Sequence, residues 1–342
     1  MCSRWQNFVT VLKMGARLLN HGLDFPLGTW IENFRNGQYK FNLAYYFFTT
    51  DINVIKKIKV QKKYPLLVTL CKNDLIRLQK FVEYHRNIGV RQFVVIDNDS
   101  DDGSVEWLQK QEDIFLVQVK DQYSAAHQEA WYNRILAHFG TGYWYIILDS
   151  DEFLTYQGME EHNVDDLVKW LKKHKVYKAC SFMLDMYAEK GYAEHGQKKE
   201  FLEQCIYFDA DSYTAKNRNP WVEGGPRKRI FSLNNWITKY PILYLQEGDI
   251  LGTHSVYPND FTTKPPCHII LKHYKFLPGD KNVYQNYVDT KIHWNNSSQY
   301  ARYLDVWKEK GVLDFMYKGS VKYKDSESLC KLSVYDGIDW NK

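Results

Sequence analysis

Apolar and polar positions alternate in blocks along the chain, and the blocks change period. Leu66-Leu-Val-Thr-Leu70 is a short continuous apolar run. It reads as a buried strand. Leu75, Leu78, Phe81-Val82, His85 and Ile88 then recur at helical spacing, and Gly89 supplies a C-terminal stop. Gln92–Asp97 is a second strand, Ser104–Leu108 a short helix, and Ile114–Val119 a third strand. Ala125–Phe139 carries a helical stripe, and the aromatic run Tyr143–Asp149 is a fourth strand. Strand and helix in strict turn predict a parallel, doubly wound sheet with right-handed crossovers. Ligands of such sheets bind beyond the carboxyl ends of the strands. The loops at Asn73, Asp97 and Asp149 are therefore expected to meet in one crevice.

The alternation degrades after about residue 156. Ala179–Leu184 and Ile237–Leu245 read as strands, and Ser298–Lys310 as a helix with Tyr300, Tyr303, Leu304 and Trp307 on one face. The polar stretch Lys190–Glu200 reads as a mobile loop. Upstream, Phe8, Val9, Leu12, Ala16 and Leu19 fall at helical spacing with Lys13 and Arg17 between them. Two readings stay open there, a helix docked on the main domain and a weak membrane-surface anchor. The expected organisation is a helical extension over 1–62, a ligand-binding half over 63–156, a second half over 157–280 and a helical region over 281–342.

At 342 residues with 44% hydrophobic positions, the chain is long enough to bury a sizeable core. A net charge of +4 is too mild for a nucleic-acid partner. The six cysteines are scattered with no C-x-x-C pair, which suits reduced thiols in a cytoplasmic protein. No apolar run reaches membrane-spanning length, and Lys13 and Arg17 interrupt any signal-peptide core. Peripheral association with a membrane remains an expectation, from Lys13, Arg17 and the lysines between Lys56 and Lys63. Aromatics make up 16% of the chain, and their flat faces suit sugars and bases as well as ordinary cores.

The candidate chemistry lies where strands end in acids. Asp-x-Asp occurs four times, and only Asp149/Asp151 follows a strongly apolar run. Two carboxylates one residue apart on an extended chain point the same way and can bracket one hard cation. The stretch Asp97-Asn98-Asp99-Ser100-Asp101-Asp102-Gly103 can accept from a base or ribose, or simply cap a turn. Lys72-Asn73-Asp74 has the same two readings.

These residues carry a resemblance. Leu66–Asp74, Ile96–Ser104, Trp131-Tyr132-Asn133 and Leu148-Asp149-Ser150-Asp151-Glu152-Phe153 occur in order. They resemble the nucleotide-sugar half of a family-2-like glycosyltransferase of the GT-A fold. Arg227–Phe231, Gly252-Thr253-His254, Leu271–Phe276 and His293-Trp294 followed by Gln299-Tyr300 resemble later motifs of the same branch. The resemblance covers roughly residues 64 to 305. It implies a Rossmann-like, mostly parallel sheet flanked by helices, with a mixed acceptor-side region. It also implies transfer of a sugar from a nucleotide-diphosphate donor, UDP expected, to a glycan or lipid-linked glycan, in surface polysaccharide assembly. Asp97 would recognise the base or ribose, with Lys72, Asn73 and Asp99 beside it, and Asn133 would support the donor from its helix. Asp149 and Asp151 would hold Mn²⁺ or Mg²⁺, and His254 or His273 would complete the shell. Arg227, Lys228 and Arg229 would steady the leaving diphosphate.

An inverting reaction needs a carboxylate to deprotonate the acceptor. The usual Glu-Asp pair is missing. Glu223 beside Gly224-Gly225 is the first candidate, with Asp249 and Asp185 as alternatives and a retaining course if no acid fits. A sugar-1-phosphate nucleotidyltransferase should show a glycine-rich basic loop after its first strand. Cys71-Lys72-Asn73-Asp74 contains no glycine. A catalytically inactive carbohydrate-binding scaffold should have lost an acid from the Asp149/Asp151 pair, and both are present.

Overall fold

The computed structural model of the chain describes residues 41–215, 221–258 and 269–342. The apolar periodicity at Phe8–Leu19 lies outside the described residues. Nine strands form the central sheet: β1 (Ile52–Lys56), β2 (Leu66–Cys71), β3 (Phe93–Asp97), β4 (Ile114–Val119), β5 (Tyr143–Asp149), β6 (Glu152–Thr155), β7 (Lys178–Met186), β8 (Thr238–Leu245) and β9 (Ile269–Tyr274). Their spatial order is β1-β4-β3-β2-β5-β8-β7-β9-β6. β4, β3, β2 and β5 are mutually parallel. β8 reverses between β5 and β7, and β7 runs parallel to β9. β1 and β6 close the two edges antiparallel to their neighbours. β2, β3, β4, β5, β7 and β9 thus share one direction, and the sheet is a mostly parallel, Rossmann-like α/β layer.

Side-chain alternation divides the core into two faces. Leu67, Phe93, Val95, Leu116, Ile146 and Leu148 pack on one face with Leu78, Phe81 and Val82 of α2. Leu66, Val68, Val94, Ile96, Tyr145 and Ile147 pack on the other with Trp131, Ile135 and Leu136 of α4. Here α1 is Phe41–Thr49, α2 is Leu75–Asn87, α3 is Ser104–Gln109, α4 is Ala125–Phe139 and α5 is Val164–Lys173. Each such side chain taken fully out of water contributes about 1.5–3 kcal/mol, so these faces carry the sheet. Gly89 takes φ +101°, the left-handed conformation that ends α2 where the sequence placed its stop. The Ser124 hydroxyl accepts from the His127 N–H at 3.2 Å and starts α4.

The sheet crosses the expected boundaries at 62 and 156, so those halves are not separate units. The residues 41–62 belong to the main body. β1 extends the sheet beside β4, and Arg134 of α4 donates to the Phe47 and Thr50 carbonyls at 2.8 and 3.4 Å. The periodicity of residues 8–19 gave no sign of this short strand. The stretch 190–200 holds two short helical segments, Tyr192–His195 and Lys198–Glu200, rather than an open loop. Glu194 explains part of that order, because its Oε1 accepts from the Trp307 indole at 2.5 Å. α6 (Pro226–Phe231), α7 (Asp280–Thr290) and α8 (Ser298–Lys310) share an aromatic cluster of Phe231, Phe276, Tyr284, Tyr303 and Trp307. No helix among the described residues is long and apolar enough to cross a membrane.

Candidate functional site

The chain order reverses between β2 and β5. From β2 the winding proceeds outward to β3 and β4, then returns to β5 on the other side. This is the switch point at which an open α/β sheet leaves a crevice. A cleft of about 320 Å³ opens there, lined by Lys72, Asn73 and Asp74 after β2 and by Asp149, Ser150 and Asp151 at the end of β5. The second half supplies its other wall through Arg227, Lys239, His254, His273 and Lys275.

Each acid of the pair already meets an ammonium. Lys239 Nζ lies 2.5 Å from Asp149 Oδ2 and 2.6 Å from Glu152 Oε1. Gln128 and the Tyr132 hydroxyl donate to Asp149 Oδ1 at 2.6 and 3.2 Å. Lys275 Nζ lies 3.0 Å from Asp151 Oδ2. Burial disfavours the charge on Asp151, but Lys275 and His273 outweigh it, and the carboxyl stays well below the usual range. Burial likewise opposes the charges on Lys239 and Lys275, and their carboxylate partners reverse it, so both pKa values are raised. Glu152 is pushed up to about 7, because its burial outweighs the attraction of Lys239.

Three strands bring a histidine between two acids. In register, His273 of β9 faces Asp185 of β7 on one side and Glu152 of β6 on the other. His273 Nδ1 is 2.5 Å from Asp185 Oδ1, and its Nε2 is 3.4 Å from Asp151 Oδ2. Asp185 Oδ2 accepts from Arg227 Nε at 2.7 Å. Asp151, Glu152 and His273 each offer a ligand atom within 4.8 Å of the others. Two carboxylates and an imidazole form a donor set that can hold a metal ion.

His254 lines the cleft but is not in that group. Its Nδ1 sits 3.0 Å from the Thr238 carbonyl, and burial and Lys239 lower it to about 4. The same cleft wall holds His293, ringed by Tyr287, Tyr300 and Tyr123 at 4.2, 4.7 and 5.0 Å between ring centres. Burial, followed by Lys275, lowers His293 to about 4.

The other expected residues divide sharply. Lys72 lines the cleft and donates to the Asn98 carbonyl at 2.8 Å. Asn73, at φ +49°, ties the β2 loop to the next one: its N–H reaches Ser100 Oγ at 3.0 Å and its Oδ1 accepts from Asp101 N–H at 2.9 Å. Asp97 is fully buried and is not among the residues that line the cleft. It accepts from Ser100 N–H and Gln118 at 3.1 Å each, so it staples its own loop instead of reading a ribose. Asp99 is exposed outside the cleft. Asn133, expected to support the donor, is a staple as well, exchanging hydrogen bonds with Leu251 at 2.7 and 3.0 Å.

Of the basic trio only Arg227 reaches the cleft. Lys228 is exposed elsewhere, one residue round the helix. Arg229 turns to Asp209 at 2.9 Å and lies over the Tyr317 ring at 4.1 Å. None of the three candidate bases lines the cleft. Glu223 lies in the Val222–Gly224 ribbon opposite Thr214. Asp249 follows β8 and sits 2.7 Å from Lys178, the first residue of β7. Asp185 is locked behind His273 by Arg227. Helical and strand phases that sequence spacing left undetermined explain these misses.

Lys239 and Lys275 were missed as chemistry. The available signal was lysine within two apolar runs, Lys239 in Ile237–Leu245 and Lys272 and Lys275 in Ile269–Phe276. Such a charge is retained only with a partner.

No family model and no curated protein matches the chain. Among solved structures, HddC from Yersinia pseudotuberculosis aligns over 53% of this chain and 74% of its own, at 10% identity and a TM-score of 0.27. A likeness of that size carries no argument, and the functional reading rests on the residues themselves.

Proposed function

We propose that the protein transfers a sugar from a nucleotide-diphosphate donor, UDP-sugar by expectation, to a glycan or lipid-linked glycan, on a GT-A-type fold. Surface polysaccharide assembly is the setting this reading favours. The observation that carries it is the meeting of Asp149 and Asp151 with Lys72, Arg227, Lys239 and Lys275 at the switch point. Negative charge builds on the diphosphate as the sugar leaves, and preorganised cations lower that barrier. Asp151, Glu152 and His273 would hold a divalent ion, which supplies Lewis-acid stabilisation of the leaving group. Asp185 would fix the ring of His273 for that task.

The acids lining the cleft among the described residues are Asp74, Asp149, Asp151, Glu152 and Asp280. Each is ion-paired with a lysine or arginine. An inverting course therefore draws its proton acceptor from the cleft's neutral imidazoles, His254 or His293, or a retaining course applies. Aromatic rings at Tyr123, Tyr287 and Tyr300 give the same wall flat faces for a sugar ring.

The test is thermal stabilisation by a panel of nucleotides and nucleotide sugars, with and without Mn²⁺, on the wild type and Asp151→Asn. A ligand bound only to the folded state raises the melting temperature with its concentration. A shift confined to one base, and altered by Asp151→Asn, is expected. No shift with any nucleotide, in a well-folded protein, would overturn the reading in favour of a carbohydrate-binding scaffold.

A further inference from the structure

We propose that the diphosphate subsite carries its own cations, Lys239, Lys275 and Arg227, and that nucleoside diphosphate binding persists without a divalent ion. This rests on reading the cleft as a nucleotide-diphosphate site and goes further, by naming what meets the phosphates.

The first observation is occupancy of the acidic oxygens. Asp149 Oδ2 and Glu152 Oε1 share Lys239 at 2.5 and 2.6 Å, and Asp151 Oδ2 takes Lys275 at 3.0 Å. Glu152 Oε2 accepts from the Asp149 N–H at 3.1 Å. A divalent ion on Asp151, Glu152 and His273 would share those carboxylates with these ammoniums. The lysines are built in. Lys239 is 8% exposed on the central strand β8, and Lys275 directly follows β9.

The second observation points to an anion. Arg227 lines the cleft, is only 4% exposed, and its Nη2 is buried with no hydrogen-bond partner. Tyr303 is the other polar neighbour of this guanidinium, and a phosphate oxygen is an acceptor that its planar fork fits. An ammonium has three donors, and Lys275 has one directed at Asp151, leaving others for a phosphate. Lys239, Lys275 and Arg227 reach the cleft from three separate elements, around the carboxylates that begin its floor. Each ammonium keeps at least one hydrogen-bond donor beyond those its carboxylate partners accept, and those donors are what a diphosphate would meet. The acids beneath them hold the lysines in place.

The experiment is isothermal titration calorimetry on the full chain with UDP, GDP and inorganic pyrophosphate, each in EDTA and in Mn²⁺. One nucleoside diphosphate is expected to bind in EDTA within about tenfold of its affinity in Mn²⁺. Lys275→Met and Lys239→Met should each weaken binding in EDTA by about tenfold or more. Folding of each variant is checked by its melting transition. The double variant Lys275→Met/Asp151→Asn removes the charges as a pair and avoids a stranded carboxylate. Its binding in EDTA should stay weak, whereas a purely structural lysine would let it recover. Nucleotide binding seen only with Mn²⁺ would overturn the proposal and leave the donor reading standing. Pyrophosphate bound in EDTA without any nucleotide would overturn the nucleotide part of both. No binding in either condition would overturn both.

Discussion

Asp185 Oδ1 lies 2.5 Å from His273 Nδ1, and this contact joins two neighbouring parallel strands directly beneath the acidic pair. The other oxygen of Asp185 takes Arg227. One buried carboxylate thus orients both the imidazole that faces Asp151 and the guanidinium that faces the cleft.

Replacing Asp185 tests that arrangement. A carboxylate behind a ligating histidine fixes its tautomer and raises its basicity, and losing it weakens metal binding by about 10–100-fold. Asp185→Asn should lower Mn²⁺ affinity by that factor, read by electron paramagnetic resonance of free Mn²⁺. An unchanged affinity would remove His273 from any metal role.

Asn133 is expected to matter for stability. Its side chain holds both the N–H and the carbonyl of Leu251, which starts the segment leading to His254. Asn133→Ala strands those groups in a buried site and should cost about 2–4 kcal/mol. Urea unfolding measures this. A loss below about 0.5 kcal/mol would show that the staple is weak and would reopen a ligand-facing role for the residue.

The docking of α7 depends on one acid. Asp280 is 4% exposed, sits 3.0 Å from Arg77 and 3.3 Å from Lys198, and accepts from Leu277 N–H at 3.1 Å. Arg77 and Lys198 also pair with Asp74 in the β2 loop. Asp280→Ala leaves two cations short of a partner and should destabilise by about 3–5 kcal/mol. A double-mutant cycle with Arg77→Met should show coupling. Strict additivity would mean that the two side chains do not act together.

A pH dependence follows from His85. Its Nδ1 donates to the Phe81 carbonyl at 2.7 Å and its Nε2 accepts from the Leu154 N–H at 3.3 Å, so only the neutral ring satisfies both. Burial holds its pKa down at about 3. The folded value lies below the unfolded value of about 6.5, so the unfolded state binds the extra proton first. The stabilisation is complete above that unfolded value and drains away as the pH falls toward 3. Between pH 7.5 and 5.5 the wild type should lose about 1.4 kcal/mol that His85→Gln does not lose. Parallel denaturant titrations at the two pH values measure the difference. Equal losses in the two proteins would contradict a neutral, buried His85.

Much of the first half was legible in the sequence. Continuous apolar runs are strands when they are short and end in turn chemistry, and the four between Leu66 and Asp149 lie within a residue or two of where the periodicity put them. Helix α4 spans Ala125–Phe139 as read, because Ser124 caps it and its apolar stripe is regular. Arg227, His254 and His273, which the resemblance implied, line the cleft, and so do Asp149, Asp151, Lys72 and Asn73, as the topology of a doubly wound sheet anticipates. Position along a strand end is a local property, so spacing alone could place those last four.

The direction of each side chain was a different matter. Asp97 and Asn133 carry the right chemistry at the right height, yet both turn into hydrogen bonds with neighbouring backbone, which only the packed loops provide. Glu223 and Asp249 are acids of the second half, but nothing local says which edge of the sheet their strands approach. Lys239 and Lys275 looked like interruptions of apolar runs. Their meaning came from strands distant in sequence that set their ammoniums on Asp149 and Asp151.

By itself, then, the sequence determined the doubly wound half-sheet, its crevice and the acidic pair at its mouth, since hydrophobic period and strand termini are encoded within a dozen residues. The tertiary structure alone decided which cations answer those acids, which histidine stands beside them and which acids are excluded. Those choices depend on strand order and register between segments up to a hundred residues or more apart, where an ion pair is settled by a few ångströms that no local pattern specifies.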